Sequence, residues 1–146
     1  MTDSPDAFHT TATELRMATF RLARRLRRER ATDALSDAQL GVLAALRAHG
    51  RHTLTALAER ERVTPPSMTN VINGMADLGY VVRIPDEDDR RRVHVEITEA
   101  GAEIVESTTH RRDEMLAGAL TELDFSESEL ATLRAASELM RKVAER

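Results

Sequence analysis

Residues 54–97 read LTALAERERVTPPSMTNVINGMADLGYVVRIPDEDDRRRVHVEI, and three local signals divide this stretch. Leu54 to Arg60 forms a short helix, with Thr53 placed to cap it and Leu57 and Ala58 turned inward. In Val63-Thr64-Pro65-Pro66-Ser67, Thr64 can cap a second helix. Pro65 falls at its first position, where a missing N–H costs nothing. That helix runs to about Leu78, with Met68, Val71, Ile72, Met75 and Leu78 along one stripe, and Gly79 closes it. The period then changes. Tyr80-Val81-Val82-Arg83-Ile84 reads as a strand, and so does Arg92-Val93-His94-Val95-Glu96-Ile97, where Val93, Val95 and Ile97 alternate with polar residues. The polar segment from Pro85 to Arg91 makes the hairpin tip. Two short helices followed by a hairpin predict a winged helix-turn-helix.

Working upstream, Ser36-Asp37-Ala38-Gln39 is a capping box for a helix that carries Leu40, Leu43 and Leu46 on one face and ends at Gly50. Before it, a long helix from about Asp6 to Glu29 carries Phe8, Ala12, Leu15, Thr19, Leu22 and Leu26 along a stripe, opposite Arg16, Arg24, Arg27 and Arg28. Downstream, Thr98 caps a long helix from about Glu99 to Leu120. After a break at Leu123-Asp124-Phe125, a second capping box from Ser126 to Glu129 opens a last helix with Leu130, Leu133, Ser137, Met140 and Ala144 on one face. The expected fold is mainly α with a small β-hairpin wing. Residues 1–34 are an N-terminal dimerisation helix, 35–98 the winged helix-turn-helix DNA-binding domain, and 99–146 C-terminal dimerisation helices. The dimerisation assignment follows from burial: long amphipathic helices at both ends cannot hide their stripes against so small a core, and a second copy supplies the missing surface.

Composition sets the outer limits. A chain of 146 residues with 41% hydrophobic and 32% charged residues suits one soluble globular domain, or one domain with arms. Aromatic residues make up only 3%, with no Trp and one Tyr, so the core must be built from Leu, Ala, Val, Ile and Met. No apolar run reaches eighteen residues, and the opening MTDSPDAFHT is acidic; neither a transmembrane helix nor a signal peptide is expected. The absence of Cys excludes disulfides, thiolate zinc sites, iron–sulfur clusters and thiol nucleophiles. The expected compartment is the cytoplasm, and no cofactor is expected. The net charge of −4 argues against a simple basic polyanion binder, yet the charge is uneven. Residues 1–35 carry seven Arg against five acids, 36–98 eight Arg against nine acids, and 99–146 six bases against eleven acids. Any polyanion site must lie in the first two thirds.

Those residues suggest a chemistry. In a helix-turn-helix the second helix enters the major groove by its N-terminal end. Here that end presents Thr64, Pro66, Ser67, Thr69, Asn70 and Asn73, opposite Met68, Ile72 and Met75. Asn70 or Asn73 can pair bidentately with adenine, and a Pro66 methylene can touch a thymine methyl. The plainer alternative is a solvent-facing helix surface on which Thr64 only caps. At the hairpin tip, Arg90-Arg91-Arg92 follows Asp86-Glu87-Asp88-Asp89. An Arg at such a tip can enter an A·T-rich minor groove, while Asp86 or Asp89 holds an Arg and shapes the turn. A solvated charge run whose signs cancel leaves unexplained why three Arg gather there. Arg47, Arg51, Arg60, Arg62 and Arg83 are candidate phosphate contacts. A calcium loop starting at Asp86 fails, because Arg91 stands where Gly is required and Ile97 where a bidentate Glu is required. His110 with Glu106 and Glu114 at helical spacing makes no four-ligand pattern, and no metal site is expected. Nor is an enzyme expected, for there is no phosphate-binding Gly loop and no nucleophile elbow.

These residues resemble the MarR family of bacterial transcription regulators. The matching text is Leu35-Ser36-Asp37-Ala38-Gln39-Leu40, Leu57-Ala58, Val63-Thr64-Pro65-Pro66-Ser67-Met68-Thr69, Ile72, Met75, Gly79-Tyr80-Val81, Arg83, Asp86, Asp89-Arg90-Arg91, Val95, Ile97-Thr98 and Gly101. The resemblance implies an obligate homodimer, expected to act as a repressor, on a pseudo-palindromic double-stranded DNA operator, with Arg91 in the minor groove and Asp89 positioning it. Many members carry Arg or Lys where Asn70 stands, so base preference here is expected to differ. Oxidant-sensing members use Cys, which this chain lacks. The resemblance also implies release by a small phenolic or aromatic acid in a cleft where the first, second and fifth helices converge. Arg16, Met17, Phe20, His49 and Arg51 are the expected lining, with His52 beside them. The competing reading is a winged-helix protein-interaction module without DNA binding, favoured by the near-neutral charge of residues 36–98.

Overall fold

A computed structural model describes residues 5–146; residues 1–4 of the expected N-terminal segment lie outside the described residues. The elements in chain order are α1 (Pro5–Arg28), α2 (Asp37–His49), β1 (His52–Thr53), α3 (Leu54–Arg60), α4 (Pro65–Asp77), β2 (Val81–Pro85), β3 (Val93–Ile97), α5 (Glu99–Glu122) and α6 (Glu127–Ala144). Two compact units divide the chain between Arg112 and Asp113.

In the first unit the predicted helix starts hold. Ser36 and Gln39 form the reciprocal box, with Gln39 N donating to Ser36 Oγ (3.2 Å) and Ser36 N donating to Gln39 Oε1 (2.9 Å). Thr53 caps α3, accepting from Ala56 N at 3.1 Å, and Thr64 caps α4 with Pro65 in its first turn. The core is assembled from Leu35, Leu40, Val42, Leu43 and Leu46, from Leu57 and Ala58, from Met68, Ile72 and Met75, and from Val81 and Val95. It holds no aromatic residue; Tyr80 packs at its edge, half-buried. Leu78, expected on the buried stripe of α4, is exposed, because it is the cap residue where the helix stops.

The sheet departs from the simple hairpin. Three antiparallel strands lie in the order β1-β3-β2, with Val81 opposite Ile97, Arg83 opposite Val95 and Pro85 opposite Val93 on one side of β3, and His52 opposite Val95 on the other. The added strand, β1, is two residues long, too short for alternation to reveal it. β2 and β3 each begin one residue later than the sequence suggests.

Distant contacts pin both ends of this unit. Arg112 Nε donates to Leu26 O (3.2 Å), which also accepts from Glu29 N (3.1 Å), and to Glu29 O (3.1 Å), just past the end of α1. Ala31 N donates to the buried Thr108 Oγ1 at 3.1 Å. At the corner between β3 and α5, Thr98 N donates to Tyr80 O (3.0 Å) and Thr98 Oγ1 donates to Gly79 O (2.7 Å). Along α1, Leu15 and Leu26 are half-buried, whereas Phe8 (67%), Phe20 (60%) and Leu22 are exposed.

In the second unit the chain turns at Asp124, whose φ is +53°, and the second capping box forms: Ser126 N donates to Glu129 Oε2 (2.9 Å) and Glu129 N donates to Ser126 Oγ (3.3 Å). These bonds from Ser126 hold the Glu129 carboxyl below its usual range. The α6 helix has no buried residue, and Leu139 and Val143 stand well exposed.

Gly101 explains why the Thr-x-x-Gly string ends in Gly. A Cβ there would meet Tyr80 O at 2.3 Å and Ile97 Cγ1 at 2.9 Å. A backbone oxygen cannot swing aside as a side chain does. Gly101→Ala is therefore expected to destabilise by about 1–3 kcal/mol and to lower the midpoint of thermal unfolding by roughly 3–10 °C, as followed by circular dichroism. An unchanged midpoint would contradict this close approach.

Candidate nucleic-acid interface

The buried stripe of α4 fixes what its other face presents. With Met68, Ile72 and Met75 sunk in the core, Thr64, Pro66, Ser67, Thr69, Asn70 and Asn73 are all exposed. Their hydroxyls are not idle. Thr64 Oγ1 accepts from Ser67 N (3.4 Å) and donates to Ser67 Oγ (2.9 Å), and Thr69 Oγ1 donates to Pro65 O (3.0 Å). Asn73 Oδ1 accepts a hydrogen bond from the Arg83 guanidinium, which ties β2 to α4. Asn70 stands exposed one turn earlier. The two Asn residues thus differ: Asn73 is oriented by a cation, whereas Asn70 is presented openly.

Arg62 occupies the turn between α3 and α4 with φ of +53°, a left-handed conformation that costs an ordinary residue roughly 1–2 kcal/mol. The turn is closed by Arg62 N donating to Glu59 O (3.2 Å) and Val63 N to Ala58 O (3.0 Å). Gly would take this position without strain. The Arg62 side chain is exposed at this turn.

The wing is organised by its acids. Asp86 Oδ1 accepts from the backbone N–H groups of Asp88 (2.9 Å) and Asp89 (3.0 Å), and Asp86 Oδ2 accepts from His94 Nε2 (2.7 Å). The His94 hydrogen bond and the two backbone N–H bonds hold the Asp86 carboxyl well below the usual carboxylate range. Asp89 Oδ1 accepts from Arg91 N (3.1 Å) and Arg91 Nε (3.2 Å). Arg91 is nevertheless 93% exposed, and Arg90 and Arg92 are exposed beside it. Among the other candidate phosphate contacts, Arg47 pairs with Glu106 (3.4 Å) and Arg51 with Glu96 (3.7 Å), and Arg60 is exposed.

The expected effector residues are spread out. Arg16, Met17 and Phe20 are exposed on α1, His49 and Arg51 are exposed around the end of α2, and half-buried His52 lies in β1, its Nδ1 2.8 Å from Gly50 O. A cavity of about 320 Å³ does open between α1, α2 and α5, but farther along α1; it is lined by Arg27, Asp37, Leu40, Ala44, Val105 and Arg112, among others. A second cavity, of about 540 Å³, lies between α3 and the tip end of β3, where Glu59 shares it with Arg91 and Arg92. Local spacing pointed to none of His94, Thr108 and Arg112. The partners of Thr108 and Arg112 are some eighty residues away in sequence.

The MarR family model matches residues 35–93. An HTH-type transcriptional regulator of Mycobacterium tuberculosis is 44% identical over 129 residues, covering 88% of this chain and 89% of that protein. A putative transcriptional regulator from Pseudomonas aeruginosa is 28% identical, with a TM-score of 0.83 over 98% of this chain and 99% of that one. A mutant of Staphylococcus aureus MepR bound to an oligodeoxyribonucleotide is 22% identical, with a TM-score of 0.69 over 92% and 97% of the two chains, a likeness of fold. The chain belongs to the MarR family of winged helix-turn-helix, DNA-binding transcription regulators.

Replacing Arg62 by Gly separates stability from binding. Relief of the left-handed strain, less the entropy that Gly adds to the unfolded chain, is expected to stabilise the fold by about 1 kcal/mol. If Arg62 meets DNA, affinity for duplex DNA in the same variant is expected to fall and its salt slope to decrease by about one. Thermal unfolding and fluorescence anisotropy over a salt series read the two effects; a fall in stability would overturn the strain argument.

Proposed function

We propose that the protein is a cytoplasmic repressor that binds a pseudo-palindromic operator as a homodimer and is released by a small aromatic or phenolic acid. The observation that carries the DNA reading is the juxtaposition of an exposed polar helix face, Thr64 to Asn73, with a wing that holds Arg91 out into solvent. In this reading Thr64, Pro66, Ser67, Thr69, Asn70 and Asn73 meet the major groove. Arg90 and Arg91 reach the flanking minor groove, Asp89 orients Arg91, and Arg62 meets the backbone.

Support for a second copy comes from the exposed apolar residues Phe8 and Phe20 on α1 and Leu139 and Val143 on α6. A homodimer would set two recognition helices about one turn of DNA apart, roughly 34–36 Å. Support for an acidic effector comes from the α1–α2–α5 cavity, where Arg112 and Arg27, the latter 3.9 Å from Asp37, accompany Leu40, Ala44 and Val105. Arg can pair bidentately with a carboxylate while apolar neighbours cover a ring. An effector that prefers a different spacing of the recognition helices would lower operator affinity by linkage.

The deciding experiment mixes the full chain with sheared DNA of its own genome at moderate salt and sequences what is retained. The expected product is a pseudo-palindrome of about 16–20 base pairs with half-sites one turn apart. The Arg90→Ala/Arg91→Ala double variant is expected to bind that duplex about ten- to a hundredfold more weakly, with a salt slope lower by about two. Retention without a shared motif, or a double variant that binds as well as the parent, would favour the protein-interaction module instead.

A further inference from the structure

His94 plays no part in the contacts proposed above, yet it is the half-buried residue on which the wing turn closes. Its side chain is 19% exposed, that of Asp86 22%, and the two meet at 2.7 Å. An ionised carboxylate only accepts, so Nε2 is the donor. The other ring nitrogen, Nδ1, is buried and has no hydrogen-bond partner among the described residues. The ring therefore has a single polar anchor, and Asp86 is that anchor. From Asp86 the contacts run outward without a gap. Its other oxygen accepts from Asp88 N and Asp89 N, its own N–H donates to Arg92 O (3.0 Å), and Arg92 N donates to Asp89 O (2.8 Å). The Asp89 carboxylate in turn holds Arg91. His94 itself sits in the middle strand, opposite Thr53 of β1 and Ile84 of β2, so its backbone is fixed by the sheet.

We propose that His94 and Asp86 are a clasp that positions the wing tip, and that His94 acts on DNA binding through Asp86 and Arg91 without touching DNA. This rests on the reading that Arg91 enters the minor groove. The clasp transmits the rigidity of the central strand to a tip whose other order comes from its own turn bonds, Asp86 N to Arg92 O and Arg92 N to Asp89 O. An Arg whose turn is already ordered loses less entropy on entering a groove than one on a loose loop.

The test uses the full chain and a fluorescent duplex carrying the motif retained from genomic DNA. His94→Leu fills a similar volume and removes the N–H donor. It is expected to weaken binding about five- to twentyfold while the thermal midpoint stays within a few degrees. His94→Gln can still donate to Asp86 and is expected to restore affinity to within about twofold. In the Arg91→Ala background His94→Leu adds nothing further, because both act on one contact. Free of DNA, His94→Leu is cut by trypsin at Arg90–Arg92 several-fold faster than the parent, as mapped by mass spectrometry. Should His94→Leu misfold, Asp86→Ala opens the clasp from its other end and is read in the same way. The clasp is overturned if Arg91→Ala weakens binding while His94→Leu does not, if the two losses are additive, or if Gln fails to rescue. If Arg91→Ala is itself silent, the minor-groove reading fails and the proposal falls with it.

Discussion

The corner at Thr98 is the constraint on which the recognition surface depends. One residue closes three elements. Its N–H and hydroxyl bind Tyr80 O and Gly79 O, where the chain leaves α4, and its Oγ1 accepts from Gly101 N at 3.1 Å, the start of α5. Gly101 lets α5 come so near Tyr80 that no Cβ fits between them. The end of the recognition helix, the base of the wing and the start of the long helix are thereby one rigid joint. The orientation of α4 relative to the wing is fixed there by the Thr98 N–H and hydroxyl acting on backbone groups of its neighbours. The Arg83–Asn73 contact then ties the same two elements on their exposed side.

The wing resolves an apparent conflict between charge and partner. A net charge of −4 and a run of four acids before three Arg suggest cancellation. The geometry shows that two of those acids face their own turn. Asp86 spends its charge on two backbone N–H groups and His94, and Asp89 binds the backbone and guanidinium of Arg91. An acid so engaged shapes the loop more than it neutralises the tip. Arg90, Arg91 and Arg92 stay exposed beside Glu87 and Asp88, so the accessible charge of the tip is less acidic than the run of residues suggests. Near-neutral charge over residues 36–98 is thus weak evidence against DNA binding, because sums over sequence ignore which way each charge is turned.

Most of the fold was legible because its signals are local. The Ser36 and Ser126 capping boxes, Thr53, Thr64 and Pro65 each act within four residues, and the stripe of α4 repeats within thirteen. The exposed face of α4 followed directly from that stripe. What escaped was non-local. Strand β1 exists only because His52 and Thr53 lie beside Val95 and His94, and Arg112 and Thr108 reveal their purpose only when α1 ends against α5. The α1–α2–α5 cavity has the same origin. Helical periodicity shows that three helices have faces to share, but not at which turn they meet. The meeting point lies at Arg27, two to three turns beyond Arg16, Met17 and Phe20. His94 escaped because a polar residue in an alternating strand reads as solvent-facing, and nothing local says that an aspartate eight residues away will fold back over it.

The distribution of buried residues bears on how such a regulator would respond to its own concentration. All twelve residues of the core lie between Leu35 and Val95. The buried core residues thus come from the helix-turn-helix and wing, with Ile104 and Val105 of α5 packed against them, while apolar residues of α1 and α6 such as Phe8, Phe20, Leu139 and Val143 are left exposed. In the proposed dimer, the second copy would cover those residues while leaving the recognition core as it is. A subunit without its partner would leave those residues in water, so in the proposed obligate dimer folding and pairing would be coupled. Pairing would also bring avidity, because binding the second half-site becomes an intramolecular step at high effective concentration. Operator occupancy would then fall more steeply with protein concentration than a single-site isotherm, even though no DNA contact within either half-site has changed.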